Sequence, residues 1–374
     1  MKVFHVIADG SPGGGTTNVL ALTEDLLAAG ISVAFCSEAS SYTIEHARQL
    51  GAEVVDGLQF FRSRLNLSIV NKLREAADRV MPDIVHCHGA RAALAWVRGC
   101  DRSQLSKSIY TVRGYQFWEK SQPMKALAML SERWISSSVF RTVHVAQSDQ
   151  DVASQHHLIS NRAASVVIRN GIDMNSIPAR QKDFTKLRKR VAVLGRITQP
   201  KNPHFVLALA KILASDGFEF HFIGGGDQEL EIRKRVANEQ ITNVVVHGYQ
   251  SRDDGLQLMS ECGTFLLASI WEGLPVAPIE AMAMGLAVVI SNVNGCPEVV
   301  RDGIDGRVAP SKNLAGFLAA LRDVVADPQR TSRMIESGKR RVATEFSRER
   351  VAAQHMALYR QCLATRGLVG GLAA

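Results

Sequence analysis

Two carboxylates, Glu272 and Glu280, stand eight residues apart in the run EGLPVAPIE, which continues as AMAMG. The run follows an apolar stretch, Thr264 to Ala268, that reads as a buried parallel strand, and precedes a short apolar helix that Gly285 can close. One acid therefore falls in a strand-to-helix loop and the other in the first helical turn. Both lie at the carboxyl end of a strand, where open α/β sheets bind their ligands. Pro278 suits the first helical position, which puts Glu280 among the unpaired amides of the helix start. Taken alone, the pair equally fits a plainer role, with Glu280 complementing the helix dipole and Glu272 a solvated loop acid.

Three further loops follow strands and precede helices. Gly13-Gly14-Gly15-Thr16-Thr17-Asn18 opens a long helix after the first strand. Its glycines let backbone amides approach an anion or sugar, and the helix start adds partial positive charge; a tight turn alone would use the same residues. It is not the dinucleotide fingerprint, because Asn18 replaces the third glycine. In Leu194-Gly195-Arg196-Ile197-Thr198-Gln199-Pro200-Lys201-Asn202-Pro203, an arginine and a lysine five residues apart can converge on a diphosphate. Two solvated surface cations are the other possibility. The third loop, Gly224-Gly225-Gly226-Asp227, reads mainly as a chain turn with Asp227 capping a helix from Gln228 to Glu239.

These loops need sheets to position them, and both halves of the chain alternate strand and helix patterns. In the first half Val3–Ala8, Ser32–Cys36, Ile84–His86, Ser108–Val112, Thr142–Val145 and Ser165–Ile168 read as strands, with a helix from Thr16 to Ala29. Val191–Leu194, Glu219–Ile223, Asn243–Val246, Thr264–Ala268 and Ala287–Ser291 repeat the grammar, and 313–363 is helical by periodicity. The expected architecture is α/β, with two Rossmann-like parallel-sheet domains facing a central cleft. Residues 1–178 and 191–350 form the domains, 179–190 a basic linker, and 351–374 a C-terminal helix and tail.

At 374 residues, with 46% apolar and 21% charged content, the chain has the composition of a globular protein of two domains. MKVFHVIADG reads as a first strand, not a leader peptide, and no apolar run has the length to span a bilayer. Six scattered cysteines without a C-x-x-C pair fit reduced thiols in a cytoplasmic protein and argue against a zinc site. The net charge of +8 is concentrated between Arg180 and Arg190, where six basic residues face Asp183 alone. That run serves either as a solvated linker or as a contact for an anionic surface. It is local and free of interleaved aromatics, which disfavours nucleic acid as a partner.

Together GRITQPKNP, FIGGGDQELE, VVVHGYQ, the segment Ser269 to Glu280 and GCPEVVRDGIDGRV, in that order, resemble the retaining glycosyltransferases of family four, which have the GT-B fold. HCHGARAAL and VIRNGID match weaker patterns in the first half. The resemblance covers nearly the whole chain and is densest from Val191 to Val308. It implies that Arg196 and Lys201 hold the diphosphate of a nucleotide-sugar donor, that Glu280 binds the ribose hydroxyls, and that Glu272 faces the donor sugar. Gly273, Leu274, Pro275 and Val276 would lie along the sugar and phosphates, although Pro275 has no N–H to give. The loop at Tyr249 would hold the base, and Gly14 and Gly15 would approach the phosphates from the first domain. No metal is required if protein cations carry the leaving-group charge, and no carboxylate cluster suited to magnesium is visible. Glu272 is an electrostatic and positioning residue on this reading, not a nucleophile.

The chain departs from that pattern at Arg113, in Thr111-Val112-Arg113-Gly114-Tyr115, where relatives often carry histidine near the donor sugar and acceptor. An arginine there removes proton handling but can bind an anionic acceptor group. His88 is a catalytic candidate nearby, with a structural role as the alternative. Thr16 and Arg113 are placed on the acceptor or sugar side. Phe60, Phe61, Arg62 and Arg64 form the expected membrane contact, whereas Trp134 and the leucines around it are expected in the core. The implied activity is transfer of a hexose or N-acetylhexosamine to a lipid-linked saccharide or lipopolysaccharide, at the inner face of the cytoplasmic membrane. The alternatives are a GT-B-fold nucleotide-sugar epimerase and a nucleotide-sugar-binding membrane-surface protein without catalysis.

Overall fold

The computed structural model describes residues 1–60, 67–115, 117, 120–160, 162–179 and 184–370. It divides into two compact units: residues 1–170 with 348–374, and residues 171–347. The reading from sequence had set the joint at 179–190; of that run, 180–183 lie outside the described residues.

The first unit carries seven parallel strands, β1 (Lys2–Ile7), β2 (Ser32–Cys36), β3 (Glu53–Val55), β4 (Ile84–His88), β5 (Ser108–Val112), β6 (Arg141–His144) and β7 (Ser165–Val167). Their order is β3-β2-β1-β4-β5-β6-β7, so the winding reverses between β1 and β4. The second unit carries β8 (Arg190–Leu194), β9 (Glu219–Ile223), β10 (Val244–Gly248), β11 (Thr264–Leu267), β12 (Ala287–Ser291) and β13 (Arg307–Ala309), in the order β10-β9-β8-β11-β12-β13. Here the reversal falls between β8 and β11. The short edge strands β3 and β13 were not anticipated, because three residues carry too little periodicity to read.

Alternate residues on β1 feed two separate cores, as a sheet covered on both faces requires. Phe4 and Val6 pack with Trp96, Tyr110 and Ile135 on one face. Val3 and Ile7 pack with Leu20, Leu26, Tyr359 and Cys362 on the other. The second face is closed by the helices Gly14–Ala28 and Arg348–Gly370, so the end of the chain returns to the first unit. Arg348 anchors that return by binding Asp25 at 2.8 Å and Glu24 at 2.6 Å.

The same face holds an unexpected polar layer. His5 and His86 are register partners on β1 and β4, and Ile7 is paired with His88. His355 and Tyr359 descend on them from the C-terminal helix, and Tyr359 Oη meets His86 Nδ1 at 2.7 Å. Thr111 Oγ1 meets His86 Nε2 at 2.6 Å. Desolvation holds His5 down to about 3 and His355 to about 4, and pulls His86 and His88 well below the ordinary imidazole range. Burial likewise lowers His144, on β6, to about 4.

The helix Gln122–Ser138 corrects one expectation. Its buried side is formed by Glu132, Ile135 and Ser136. Leu127, Leu130 and Trp134 are 56%, 63% and 47% exposed, with Met124 beside them, so they are not core residues. Tyr110 Oη donates to Glu132 at 2.9 Å, and burial raises that carboxyl to about 7. A hydrogen-bonded acid thus takes the inward place that sequence hydrophobicity assigned to leucine.

Five buried bases with depressed pKa values take up protons in the unfolded chain below about 6.5, whereas in the fold His144 and His355 do so only at about 4, His5 at about 3, and His86 and His88 well below the ordinary range. Stability of the first unit should therefore fall as pH drops from about 6.5 to about 4, by up to roughly 1.4 kcal/mol per pH unit for each histidine. Glu132 has the opposite sign, losing stability as pH rises through about 7, and burial raises Asp25 in the same sense, but these are two groups against five. Calorimetric melting across that range should show the acid-side decline, and His355→Gln should make it shallower. A flat profile would contradict the neutral layer.

Candidate functional site

In the second unit, the loops leaving β8 and β11 meet at the reversal point. Ile270 N–H donates to Pro200 C=O at 2.9 Å, binding the two loops together. A small pocket opens there, lined by Gly195, Arg196, Lys201, Phe222, Leu267 and Ala268 among others. The glycines of the third loop are needed for packing: a Cβ on Gly224 would lie 2.3 Å from Gly195 C=O, and one on Gly226 would lie 2.3 Å from Ile197 C=O. The following helix, Glu229–Asn238, starts at Gln228 without a side-chain cap, so Asp227 does not play the expected capping part. Tyr249, 65% exposed, stands beside Gly225.

Both carboxylates are buried and each is held through a single oxygen. Lys201 Nζ lies 2.5 Å from Glu272 Oε1, and Ser269 Oγ donates to the same oxygen at 2.6 Å. Arg252 Nη2 and Nε donate to Glu280 Oε1 at 2.9 and 3.2 Å. The second oxygen of each acid makes no hydrogen bond among the described residues. Burial raises the Glu280 carboxyl, and Arg252 opposes that rise. The helix Ala277–Met284 opens one residue earlier than Pro278 suggested, so the Glu280 amide is not unpaired but donates to Val276 C=O at 3.0 Å. Arg196 is exposed and makes no ion pair among the described residues. Leu274 and Pro275 are buried, leaving Gly273 and Val276 as the partly exposed members of their loop. Ser269 and Arg252 escaped the sequence reading. Nothing local marks them, since the first acts from the end of β11 and the second lies 28 residues from its partner.

The rest of GCPEVVRDGIDGRV serves the fold. Asp305 is fully buried and bound by Arg301 at 2.6 Å, Arg341 at 3.1 Å and Ser337 at 2.8 Å, which ties its loop to the helix Pro328–Glu345.

The first unit gathers Gly14, Gly15, Thr16, His88 and Arg113 at the carboxyl ends of β1, β4 and β5. Thr16 is buried, and its hydroxyl donates to Ser11 C=O and Gly13 C=O at 2.9 and 2.8 Å, shaping the loop. His88 Nδ1 lies 3.4 Å from Arg113 Nη2, and its Nε2 lies 2.9 Å from His5 Nδ1. A guanidinium only donates, so Nδ1 of His88 accepts and its Nε2–H passes to His5. Both nitrogens of His88 are thus engaged. His5, His86 and His88 are close enough together to be considered as metal ligands. However, His86 and His88 spend both nitrogens on protein partners, and Arg113 places a cation beside them, so the set suits neutral hydrogen bonding. Phe60 is buried, and Phe61, Arg62 and Arg64 lie outside the described residues, as does Trp118.

Residues 12–176 match the family model described as Glycosyltransferase Family 4, and 178–341 match that described as Glycosyl transferases group 1. The chain belongs to glycosyltransferase family 4. It is 29% identical over 219 residues to the amylovoran biosynthesis glycosyltransferase AmsK of Erwinia amylovora, covering 55% of this chain and 52% of the relative. It is 24% identical over 261 residues to an Escherichia coli protein named UDP-Gal:alpha-D-GlcNAc-diphosphoundecaprenol alpha-1,3-galactosyltransferase, covering 66% and 67%. The chain therefore spans about half to two thirds of the length of these relatives. Anabaena HepE, solved in complex with UDP, superposes with a TM-score of 0.80 at 18% identity, over 96% of this chain and 100% of the other. That likeness shows the fold, which in this family is GT-B.

The Arg252–Glu280 pair yields a direct test. Removing one partner of a buried pair strands the other charge, and Arg252 is about a third exposed, so Arg252→Gln should destabilise the second unit by about 1–3 kcal/mol at pH 7. The loss should shrink near pH 5, where an unpaired, buried Glu280 can take a proton. Urea unfolding at both pH values measures this, and equal stability to the parent at pH 7 would mean that the pair does not form in solution.

Proposed function

We propose that this protein is a retaining glycosyltransferase that moves a hexose or N-acetylhexosamine from a nucleotide diphosphate sugar to a lipid-linked saccharide or lipopolysaccharide. The observation that carries this reading is the pair of half-used carboxylates, one of them held by Lys201 from the loop that also carries the exposed Arg196. Glu280 offers a fixed acceptor oxygen to the ribose hydroxyls. Glu272, held by Lys201 and Ser269, offers one to the donor sugar. As the glycosidic bond breaks, negative charge grows on the diphosphate, and Arg196 and Lys201 stabilise it without reorganisation. Lys201 then divides its donors between Glu272 and phosphate. With charge stabilisation supplied by side chains, transfer needs no divalent metal. An epimerase would need an acid and base free to exchange protons, and both nitrogens of His88 are engaged. Transfer suits the site better.

Lys201→Ala and Arg196→Ala should each lower turnover on the order of a hundredfold while the protein stays folded. Donor hydrolysis, followed by release of nucleoside diphosphate, should continue in excess EDTA. Near-parental rates in either variant, or chelator inhibition reversed by magnesium or manganese, would refute the cation-based mechanism.

The membrane part of this proposal rests on the helix Gln122–Ser138. Met124, Leu127, Leu130 and Trp134 line its outer side. Between Lys120 and Arg141 the only acid is Glu132, which is buried, whereas Lys120, Lys125, Arg133 and Arg141 add positive charge. No helix among the described residues is long and apolar enough to cross a membrane. An apolar stripe flanked by cations suits the interface of an anionic leaflet. The protein should co-sediment with vesicles containing anionic lipid at low salt, and Leu127→Gln/Leu130→Gln/Trp134→Gln should lose most of that binding. Unchanged binding by the triple variant would exclude this helix, and concentration-dependent self-association lost in the same variant would instead make the stripe a contact between copies.

A further inference from the structure

Arg113 is a cation in the wrong surroundings for a purely structural residue. It makes no ion pair among the described residues, and its one hydrogen bond is the 3.4 Å contact with neutral His88. Its Nε is buried and meets no acceptor. Nη1 makes no hydrogen bond among the described residues. Burial with no opposing anion pulls the guanidinium down to about 10, and the charge in turn helps to keep His5, His86, His88 and His355 neutral.

The side chain lies against the start of the helix Gly14–Ala28. A Cβ on Gly15 would sit 3.3 Å from Arg113 Cδ and 4.0 Å from Nη1, so the glycine is what lets the guanidinium close on the backbone. The first helical amide to find a partner is that of Thr17, which donates to Gly13 C=O. The amides of Gly14, Gly15 and Thr16 make no hydrogen bond among the described residues, and no acid stands in the first turn. An unneutralised fork and three free amides therefore share one corner, each lacking the same thing.

We propose that this corner binds the oxyanion of an acidic sugar, a uronate carboxylate or a sugar phosphate, and that Arg113 selects that sugar over its neutral counterpart. A single guanidinium beside helix-start amides matches one oxyanion group, which it can grip with two donors. The proposal rests on the glycosyltransferase reading only for what the oxyanion is attached to. Arg113 is a specificity residue here, and His88 positions it.

The test is binding of glucuronate, glucose 6-phosphate and glucose to the full chain, by ligand-observed NMR at constant ionic strength, with and without UDP. At least one anionic sugar should bind about tenfold or more tightly than glucose, as expected for one charge-assisted hydrogen bond. Preference for glucuronate assigns a carboxylate, and preference for the 6-phosphate assigns a phosphate. Arg113→Met should erase the preference and leave UDP affinity within about twofold. Its melting temperature without ligand should equal or exceed the parent's, because a half-buried cation whose enclosed Nε has no acceptor is removed. If that variant does not fold, Arg113→Lys decides: it should keep only part of the preference, since lysine lacks the planar fork. Equal binding of the three sugars, or a preference that survives in the variants, would overturn the proposal. So would an equal loss of UDP affinity in Arg113→Met, which would put the guanidinium on the nucleotide. Failure of every nucleotide to bind the parent protein would instead count against the glycosyltransferase reading, and the sugar preference is measured independently of it.

Discussion

A parallel sheet buried on both faces leaves charged groups few places to go, because the cost of burying an unpaired charge keeps them off its surfaces. They gather in the loops that leave the carboxyl ends of the strands. In each unit those loops part most widely where the winding reverses, between β1 and β4 and between β8 and β11. The candidate residues obey that constraint. Arg196 and Lys201 follow β8, Glu272 follows β11, Gly14 and Gly15 follow β1, and Arg113 follows β5. Most of the rest of each unit is hydrophobic packing, which holds these loops in place.

The imidazole layer is the exception, and it shows what an exception costs. His5 and His86 sit on a sheet face beneath His355, where all three are tolerated because desolvation keeps them uncharged and Tyr359 and Thr111 satisfy His86. Two of the partners arrive on the C-terminal helix, so closing the first unit requires the last segment of the chain. The layer thus couples the far end of the sequence to the strand ends that carry His88 and Arg113.

Pairing separates the cations into two groups. Lys201 and Arg252 are matched to buried carboxylates and orient them, each through one oxygen. Arg196 and Arg113 have no such match among the described residues, the first in solvent and the second half-buried with its Nε enclosed. An exposed cation costs little, but an enclosed one without an anion lowers stability, and such strain collects where a ligand supplies the missing charge.

The alternation of strands and helices, the two-unit architecture, and the placement of Arg196, Lys201 and Glu272 in loops at strand ends and of Glu280 in the helix that follows were legible in the sequence. Those features depend on local periodicity and on short spacings along one chain segment. The partners were not legible. Ser269 and Arg252 hold the two acids, Glu132 displaces Leu127, Leu130 and Trp134 from the inner side of their helix, and His355 and Tyr359 complete a network begun at His5. Each of these depends on which face of an element turns inward or on contacts between residues far apart in sequence. Hydrophobicity predicted the leucines and tryptophan inside, but a hydrogen-bonded acid beside Tyr110 fitted the available space. The amino-acid sequence determined which residue types stand at each strand end; tertiary packing decided which charges are neutralised there and which are left open, because neutralisation depends on distance in space.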